Sequence, residues 1–252
     1  MQETYISETE CALLMERLKM VRHGIGNVPK ELVFDKNPPP ISQVERFDAN
    51  RFFEVFDEVR LNEGYVLDYV YFSAGFFGGR PLLYTRKIDS EPLSSVKDLK
   101  HIFVENPDYP FPGSMAWTED VYFRNENHPY RKDIEFEKTP SGYFQFALFC
   151  IVVEQFYLYQ HDAYKLVYFI ITQSELEERL WKFHLPEKDQ MTIRATDLRP
   201  KITPDNNSAG VKVVYFSPWG GYKYYSCNIK WPNIINDRRV EKIVHYDCGR
   251  KI

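Results

Sequence analysis

Histidine and aspartate residues that could hold a metal ion form a spaced series across the middle of the chain. His128 is followed by the dipeptide His161-Asp162, and Asp189 and Asp197 lie downstream. Imidazole nitrogens and carboxylate oxygens are common ligands of catalytic metals, so this series could support metal-assisted hydrolysis. It defines one candidate acid-base or metal site, made of His128, His161 and Asp162.

The order H…HD…D resembles that of metal-dependent phosphohydrolases. In that resemblance the ligands would stand on facing helices. His161 and Asp162 instead lie between two runs of residues typical of strands. A polar hairpin turn therefore explains the dipeptide better than a metal site does.

Two other patterns could indicate a catalytic site or a phosphate-binding site. His245, Asp247 and Cys248 are neighbours near the C-terminus, but adjacent strand residues point to opposite faces, and a triad normally draws on distant segments. The glycine pairs 78–79 and 220–221 lack the spacing of a phosphate-binding loop. The sequence thus predicts no catalytic residue set, no metal and no cofactor.

The composition favours a folded protein rich in sheet. The 252 residues are 44% hydrophobic and 27% charged, and the aromatic share is 16%. Aromatic side chains suit the half-buried surface of a pleated sheet. The net charge of −4 gives no electrostatic reason to expect a polyanion, because phosphate contacts require a basic face, and nucleic acid is therefore disfavoured as a partner.

The chain also carries indications of its compartment. The start, MQETYISETE, is acidic where a secretory signal would be basic, and the longest apolar run, residues 144–153, is about half of a membrane-spanning helix. The four cysteines form neither CxxC pairs nor a disulfide framework. We expect a cytoplasmic protein with no membrane segment and with buried, reduced thiols.

Helix signals occur at three places. Ser7 with Glu10, and Ser174 with Glu177, have the spacing of a capping box, and Asp48 is a candidate N-cap. A short helix is also predicted over residues 95–103. The passage that follows, residues 105–133, is rich in proline and is predicted to be a long irregular loop.

Strand signals dominate elsewhere. Residues 142–172 are rich in aromatic and β-branched residues and are predicted to form the centre of the sheet. Further strands are predicted for residues 65–72 and 81–87, and then around Thr192 and over 211–216, 222–230 and 240–246. The expected fold is α+β, a mostly antiparallel or mixed sheet with three or four short helices packed on one face. We expect a single domain over 1–252, with a sub-division near 88–140 left open.

Two similar stretches, VYFSAGFFGGR (70–80) and VYFSPWGGY (214–222), place aromatic rings beside paired glycines. Both are predicted to be hairpin turns, and a duplicated domain is the less favoured interpretation. Exposed rings at loop tips often anchor interfaces. The candidate binding residues are Phe76, Phe77, Trp219 and Tyr222 at the tips, together with Trp117 and Tyr122 in the long loop.

Three functions remain open. The first is a non-enzymatic module that binds a protein partner, of the inhibitor or immunity type, which would neutralise a toxin or an enzyme. It is favoured by the acidic body and by the aromatic loops. The second is a hydrolase built on His128, His161 and Asp162, and the third is a module for a small molecule or a carbohydrate.

Overall fold

The structure is a computed structural model of the chain. It describes residues 2–33, 44–73, 78–96, 98–99, 130–160, 163 and 166–246. In chain order the elements are β1 Thr4–Tyr5, α1 Glu8–His23, α2 Lys30–Val33, the 3-10 helix η1 Ala49–Glu54, β2 Val59–Leu61, β3 Tyr65–Ser73, β4 Gly79–Lys87, the 3-10 helix η2 Arg131–Asp133, β5 Ile134–Phe136, α3 Pro140–Val152, β6 Tyr168–Phe169, α4 Gln173–Phe183, α5 Glu187–Arg194, β7 Lys201–Asp205, β8 Ser208–Ser217, β9 Gly221–Lys230 and β10 Ile234–Val244.

The largest sheet is antiparallel and has the strand order β1-β7-β8-β9-β10. The short strand β6 also pairs with β8, at Phe216 and Tyr215. Two smaller antiparallel units, the β2–β5 ribbon and the β3–β4 hairpin, form separate two-stranded sheets. The predicted class, α+β with a mostly antiparallel sheet, is confirmed.

Side chains of β8 alternate between the two faces of the large sheet. On β8, Val211, Val213 and Tyr215 belong to the main core cluster, which also contains buried residues of α1 and α3. Val214 and Phe216 belong to a second cluster with Leu176, Leu180 and Ile193 of α4 and α5. Because successive strand residues point to opposite faces, one sheet serves two cores. The helices therefore lie on both faces, whereas the sequence pattern predicted them on one.

The main correction concerns residues 142–172, which were predicted to be the central strands. The first part of this run forms the helix α3, Pro140–Val152, most of whose side chains are buried, while Tyr168–Phe169 form the predicted strand as β6. A helix that is apolar on all sides has no polar face to reveal its period, so its pattern matches that of a buried strand. Here α3 packs against β7, β8 and β9 and also against β2 and β5.

Local signals at the start of α3 explain why it is a helix. The Thr139 hydroxyl accepts a hydrogen bond from the amide of Gly142 at 2.9 Å, and Pro140 occupies the first turn. Both features are typical of a helix N-terminus. A Cβ atom at Gly142 would lie 1.9 Å from the carbonyl oxygen of Glu137, so the close approach of the chain here requires glycine.

Other helix predictions were confirmed or shifted. Ser7 caps α1 and Asp48 caps η1, as predicted. The predicted capping box at Ser174 is wrong by two residues, because Thr172 is the N-cap of α4 and bonds the amide of Glu175. The predicted strand around Thr192 is also wrong, since that residue lies in the helix α5.

The remaining strand predictions hold. Residues 65–72 and 81–87 pair as the β3–β4 hairpin, and residues 211–216, 222–230 and 240–244 lie in β8, β9 and β10. Most of the predicted helix at 95–103, and nearly all of the loop at 105–133, lie outside the described residues. The division of the chain into domains stays a prediction.

Candidate functional site

A cavity of about 280 Å³ lies at the end of α3, on the face of the large sheet that packs against this helix. The segment after α3 forms one wall, and β8, β9 and β10 form another. The first residues of β4 and η2 complete it. The lining residues are Arg80, Arg131, Cys150, Ile151, Glu154, Gln155, Leu158, Val167, Tyr215, Tyr225, Arg238 and Val240.

Arg131 is the most unusual group in this cavity. Its side chain is only 3% exposed, and its Nη2 lies 3.9 Å from Oε1 of Glu154. Within the part of the chain that the structure describes, Nε and Nη1 have no hydrogen-bond partner. Buried polar groups are nearly always hydrogen-bonded, and each one left unsatisfied costs about 1–3 kcal/mol. Arg131 therefore lines the cavity and carries buried donors that have no partner among the described residues.

The backbone around Arg131 is held firmly in place. The side-chain amide of Asn233, in the turn between β9 and β10, donates to the carbonyl of Arg131 at 2.8 Å. The amide of Asn62 donates to the carbonyl of Asp133 at 2.9 Å. These two bonds attach η2 to the β9–β10 turn and to the residue after β2, so the backbone that carries the Arg131 side chain is held on two sides.

Glu154 faces Arg131 from the segment that follows α3. Its Oε1 accepts a hydrogen bond from the Tyr130 hydroxyl at 2.7 Å. Burial raises the pKa of Glu154 above its usual range, and the nearby Arg131 guanidinium and the Tyr130 hydrogen bond offset this only in part. The carboxyl group therefore takes up a proton at a higher pH than an exposed glutamate would.

Two further arginines complete the charged lining. Arg80, at the start of β4, is 3% exposed, and the antiparallel bridge between Gly79 and Tyr159 holds this part of β4 beside the cavity. Arg238 is exposed and lies in a bulge of β10, where two residues face the single residue Cys227 of β9. Bulges often occur beside binding sites. With Glu154 ionised, three arginines against one glutamate leave a net charge of +2 on the described lining.

The other walls are mainly apolar. Ile151 and Leu158 line the helix side, and Tyr215, Tyr225 and Val240 line the sheet side. Tyr225 and Val240 are register partners on β9 and β10, which places both on the same face of the sheet. An apolar cavity with a few convergent charged groups is the usual form of a small-molecule site.

The cavity also contains a thiol, Cys150, but this thiol is a poor nucleophile. Burial raises its pKa to about 11, and the positive charges of Arg131 and Arg238 counteract only part of that effect. The thiolate is the reactive form of cysteine, so Cys150 is almost entirely unreactive at neutral pH. Cys11, Cys150 and Cys227 are all free and buried, as predicted, while Cys248 lies outside the described residues.

Few of the predicted site residues can be placed. Trp219, in the turn between β8 and β9, is 36% exposed. Tyr222 is fully buried, with its ring 4.9 Å from that of Phe216, so its side chain is inaccessible to a partner here. The residues that lie outside the described ranges are Phe76, Phe77, Trp117, Tyr122, His128, His161 and Asp162. The described residues contain no group of three His, Cys, Asp or Glu side chains suited to a metal.

Sequence reasoning missed Arg80, Arg131, Glu154 and Arg238. They are far apart in the chain, and no short motif connects them. One signal was available, because Glu154 is the only charged residue in the run of apolar and aromatic residues at 142–159. A charged residue inside such a run is seldom fully buried without a partner, and it indicates a special environment.

Comparisons of this chain with protein-family models, with curated proteins and with solved structures find no match. Among the helices of the described ranges, none is both long enough and apolar enough to cross a bilayer.

Proposed function

We propose that this protein binds a small organic anion in the cavity between α3 and the large sheet. The observation that carries the proposal is the guanidinium of Arg131, which is 3% exposed and has two nitrogens without a hydrogen-bond partner in the described part of the chain. A ligand with acceptor oxygens would supply the missing partners. This is the third of the functions that the sequence left open, made more specific by charge.

The arrangement is difficult to explain as a purely structural one. A buried charge is tolerated when it is paired and its hydrogen bonds are made, and a buried ion pair often contributes little stability even then. The Arg131–Glu154 pair is long, at 3.9 Å, and leaves donors of Arg131 unused. Groups that are costly for folding are characteristic of functional sites.

The chemistry of the lining supports binding without nucleophilic catalysis. Cys150 is the thiol among the described lining residues; burial raises its pKa to about 11, and it stays protonated at neutral pH. The polar side chains of the lining can make hydrogen bonds or attract charge, and the others are apolar. These properties favour a binding module, and the hydrolase with His128, His161 and Asp162 remains an alternative prediction.

Replacing Arg131 by Met should weaken anion binding. Met has a similar length and no charge, so the cavity keeps its shape and loses its unused donors. Titration calorimetry of the wild type with benzoate, hexanoate, phenylphosphate and inorganic phosphate should detect at least one ligand, and its affinity should fall at least tenfold in Arg131→Met.

The matched control is Arg60→Met, which removes an arginine that is 60% exposed on β2 and does not line the cavity. Its affinities should equal those of the wild type. The proposal fails if the wild type binds none of the four anions, or if Arg131→Met binds them as well as the wild type does. Circular dichroism confirms that each variant is folded.

Stoichiometric protein binding, of the inhibitor or immunity type, is a second candidate. It is favoured by Trp219, whose ring is 36% exposed in the turn closed by the hydrogen bond from the Gly220 amide to the carbonyl of Ser217. A partly exposed tryptophan on a rigid turn is a frequent interface anchor.

If this second candidate is correct, immobilised wild-type protein should retain a specific partner from the native lysate, and Trp219→Ala should lose it. Trp181→Ala is the control, since Trp181 is 78% exposed on α4, in a different part of the fold. Retention by both variants would exclude Trp219 as the anchor. Absence of any partner with the wild type would count against protein binding.

A further inference from the structure

We propose that the ligand is a small apolar monocarboxylic acid, whose carboxylate binds Arg131 and is bound together with one proton that it shares with Glu154. This inference rests on the proposed function and makes it more specific. It names a chemical class of ligand, and it assigns Glu154 the role of the group that holds the proton.

The proton follows from the distance between the charged groups. Glu154 Oε1 lies 3.9 Å from Nη2 of Arg131, so an anion bound to the same guanidinium would lie close to this carboxylate. Two carboxyl groups at such a separation in a desolvated site are not both ionised. The complex is therefore expected to contain one carboxylate and one protonated carboxyl group.

The groups around Glu154 allow this proton to be held. The Tyr130 hydroxyl donates to it from the residue before η2, while Arg80 and Arg238 approach from β4 and β10, and the Cys150 thiol lies on α3. Tyr225 of β9 and Cys150 are neutral at physiological pH, because burial raises the pKa of each. Burial raises the pKa of Glu154, which favours the protonated carboxyl group in the complex.

The position of α3 favours a carboxylate over a phosphate. The helix ends at Val152, and the cavity is lined by Cys150, Ile151 and Glu154 at this end. A helix C-terminus carries partial negative charge, whereas phosphates are typically bound at helix N-termini. The N-terminus of α3, at Thr139 and Pro140, is the opposite end of the helix. A dianion would thus meet repulsion from both the helix end and Glu154.

The walls and the volume indicate an apolar body of modest size. The cavity of about 280 Å³ would hold about nine water molecules at liquid density. A benzene ring or a chain of about six carbons with a carboxylate is of this size. The rings of Tyr215 and Tyr225, with Ile151 and Leu158, provide the apolar surface for such a body.

The proton balance fixes the pH dependence. Above the pKa of Glu154 in the free protein, the ligand carboxylate, the Glu154 carboxylate and one solvent proton combine to give the complex. Affinity should therefore fall about tenfold for each unit of pH in that range. Below that pKa Glu154 is already protonated, and the affinity should become independent of pH until the ligand itself is protonated.

The test is calorimetric titration of the full chain with benzoate and hexanoate at pH 6, 7 and 8, in two buffers with different ionisation enthalpies. Phenylphosphate and benzyl alcohol are the dianionic and uncharged comparators. We expect uptake of about one proton per benzoate above the pKa of Glu154. We also expect phenylphosphate and benzyl alcohol to bind at least tenfold more weakly. Glu154→Gln, which imitates the protonated carboxyl, should bind benzoate at pH 8 at least tenfold more tightly than the wild type.

Each contrary result has a distinct meaning. If phenylphosphate binds more tightly than benzoate and this binding needs Arg131, the ligand class is wrong while the proposed function stands. Benzoate binding without proton uptake at any of the three pH values overturns the role of Glu154. If none of these compounds nor inorganic phosphate binds the wild type, the proposed function itself fails.

Discussion

The double variant Arg131→Met/Glu154→Gln is expected to be more stable than the wild type. The substitution removes a buried charge with unused donors and its distant partner, and it retains side chains of similar volume. Replacing a buried ion pair by neutral groups of similar shape stabilises proteins by about 1–4 kcal/mol in favourable cases. The Tyr130 hydroxyl can still donate to the amide oxygen of Gln at position 154.

Chemical denaturation at pH 7 measures this change in the free energy of unfolding. Arg60→Met/Glu137→Gln provides the control, because it removes an ion pair whose side chains are 60% and 50% exposed. Exposed pairs contribute about 0–1 kcal/mol, so the control should change little. A double variant less stable than the wild type by more than this would show that Arg131 and Glu154 hold the fold together, and would remove the main argument for a ligand site.

Replacing Phe149 by Ala should destabilise the protein by about 3–5 kcal/mol, the usual cost of removing a large buried ring. Phe149 is fully buried on α3. Its ring centroid lies 5.0 Å from that of Phe53 and 5.7 Å from that of Phe56. The cavity left by alanine would open at the contact between α3 and the η1 region.

The matched control for this variant is Trp181→Ala, which removes a larger ring that is 78% exposed on the helix α4. An exposed substitution of this kind should change the free energy of unfolding by about 0.5 kcal/mol or less. Equal effects of the two substitutions in denaturant titrations would contradict the central position of α3.

Prediction from the sequence was accurate where the signals are local. Ser7 and Asp48 were identified as N-caps because a capping bond joins residues only two or three positions apart. The β3–β4 hairpin was identified because its strands are adjacent in sequence and rich in β-formers. The N-cap of α4 was misplaced at Ser174 because Thr172-x-x-Glu175 and Ser174-x-x-Glu177 have the same spacing.

Prediction failed at α3 because burial on all sides removes the periodic contrast on which it depends. The pair Thr139-Pro140 was a usable start signal, and it was outweighed by the high content of aromatic and β-branched residues that follows. Tertiary packing, with strands on both sides of the segment, decides in favour of a helix there.

The sequence by itself determined the class of the fold and the antiparallel pairing of its hairpins. These depend on composition and on neighbours in the chain. The tertiary structure alone decided that α3 is a central helix, that the sheet has two cores, and that Arg80, Arg131, Glu154 and Arg238 meet in one cavity. The physical reason is that a site formed by residues from four separate elements or segments depends on how whole elements pack, which no local pattern of residues records.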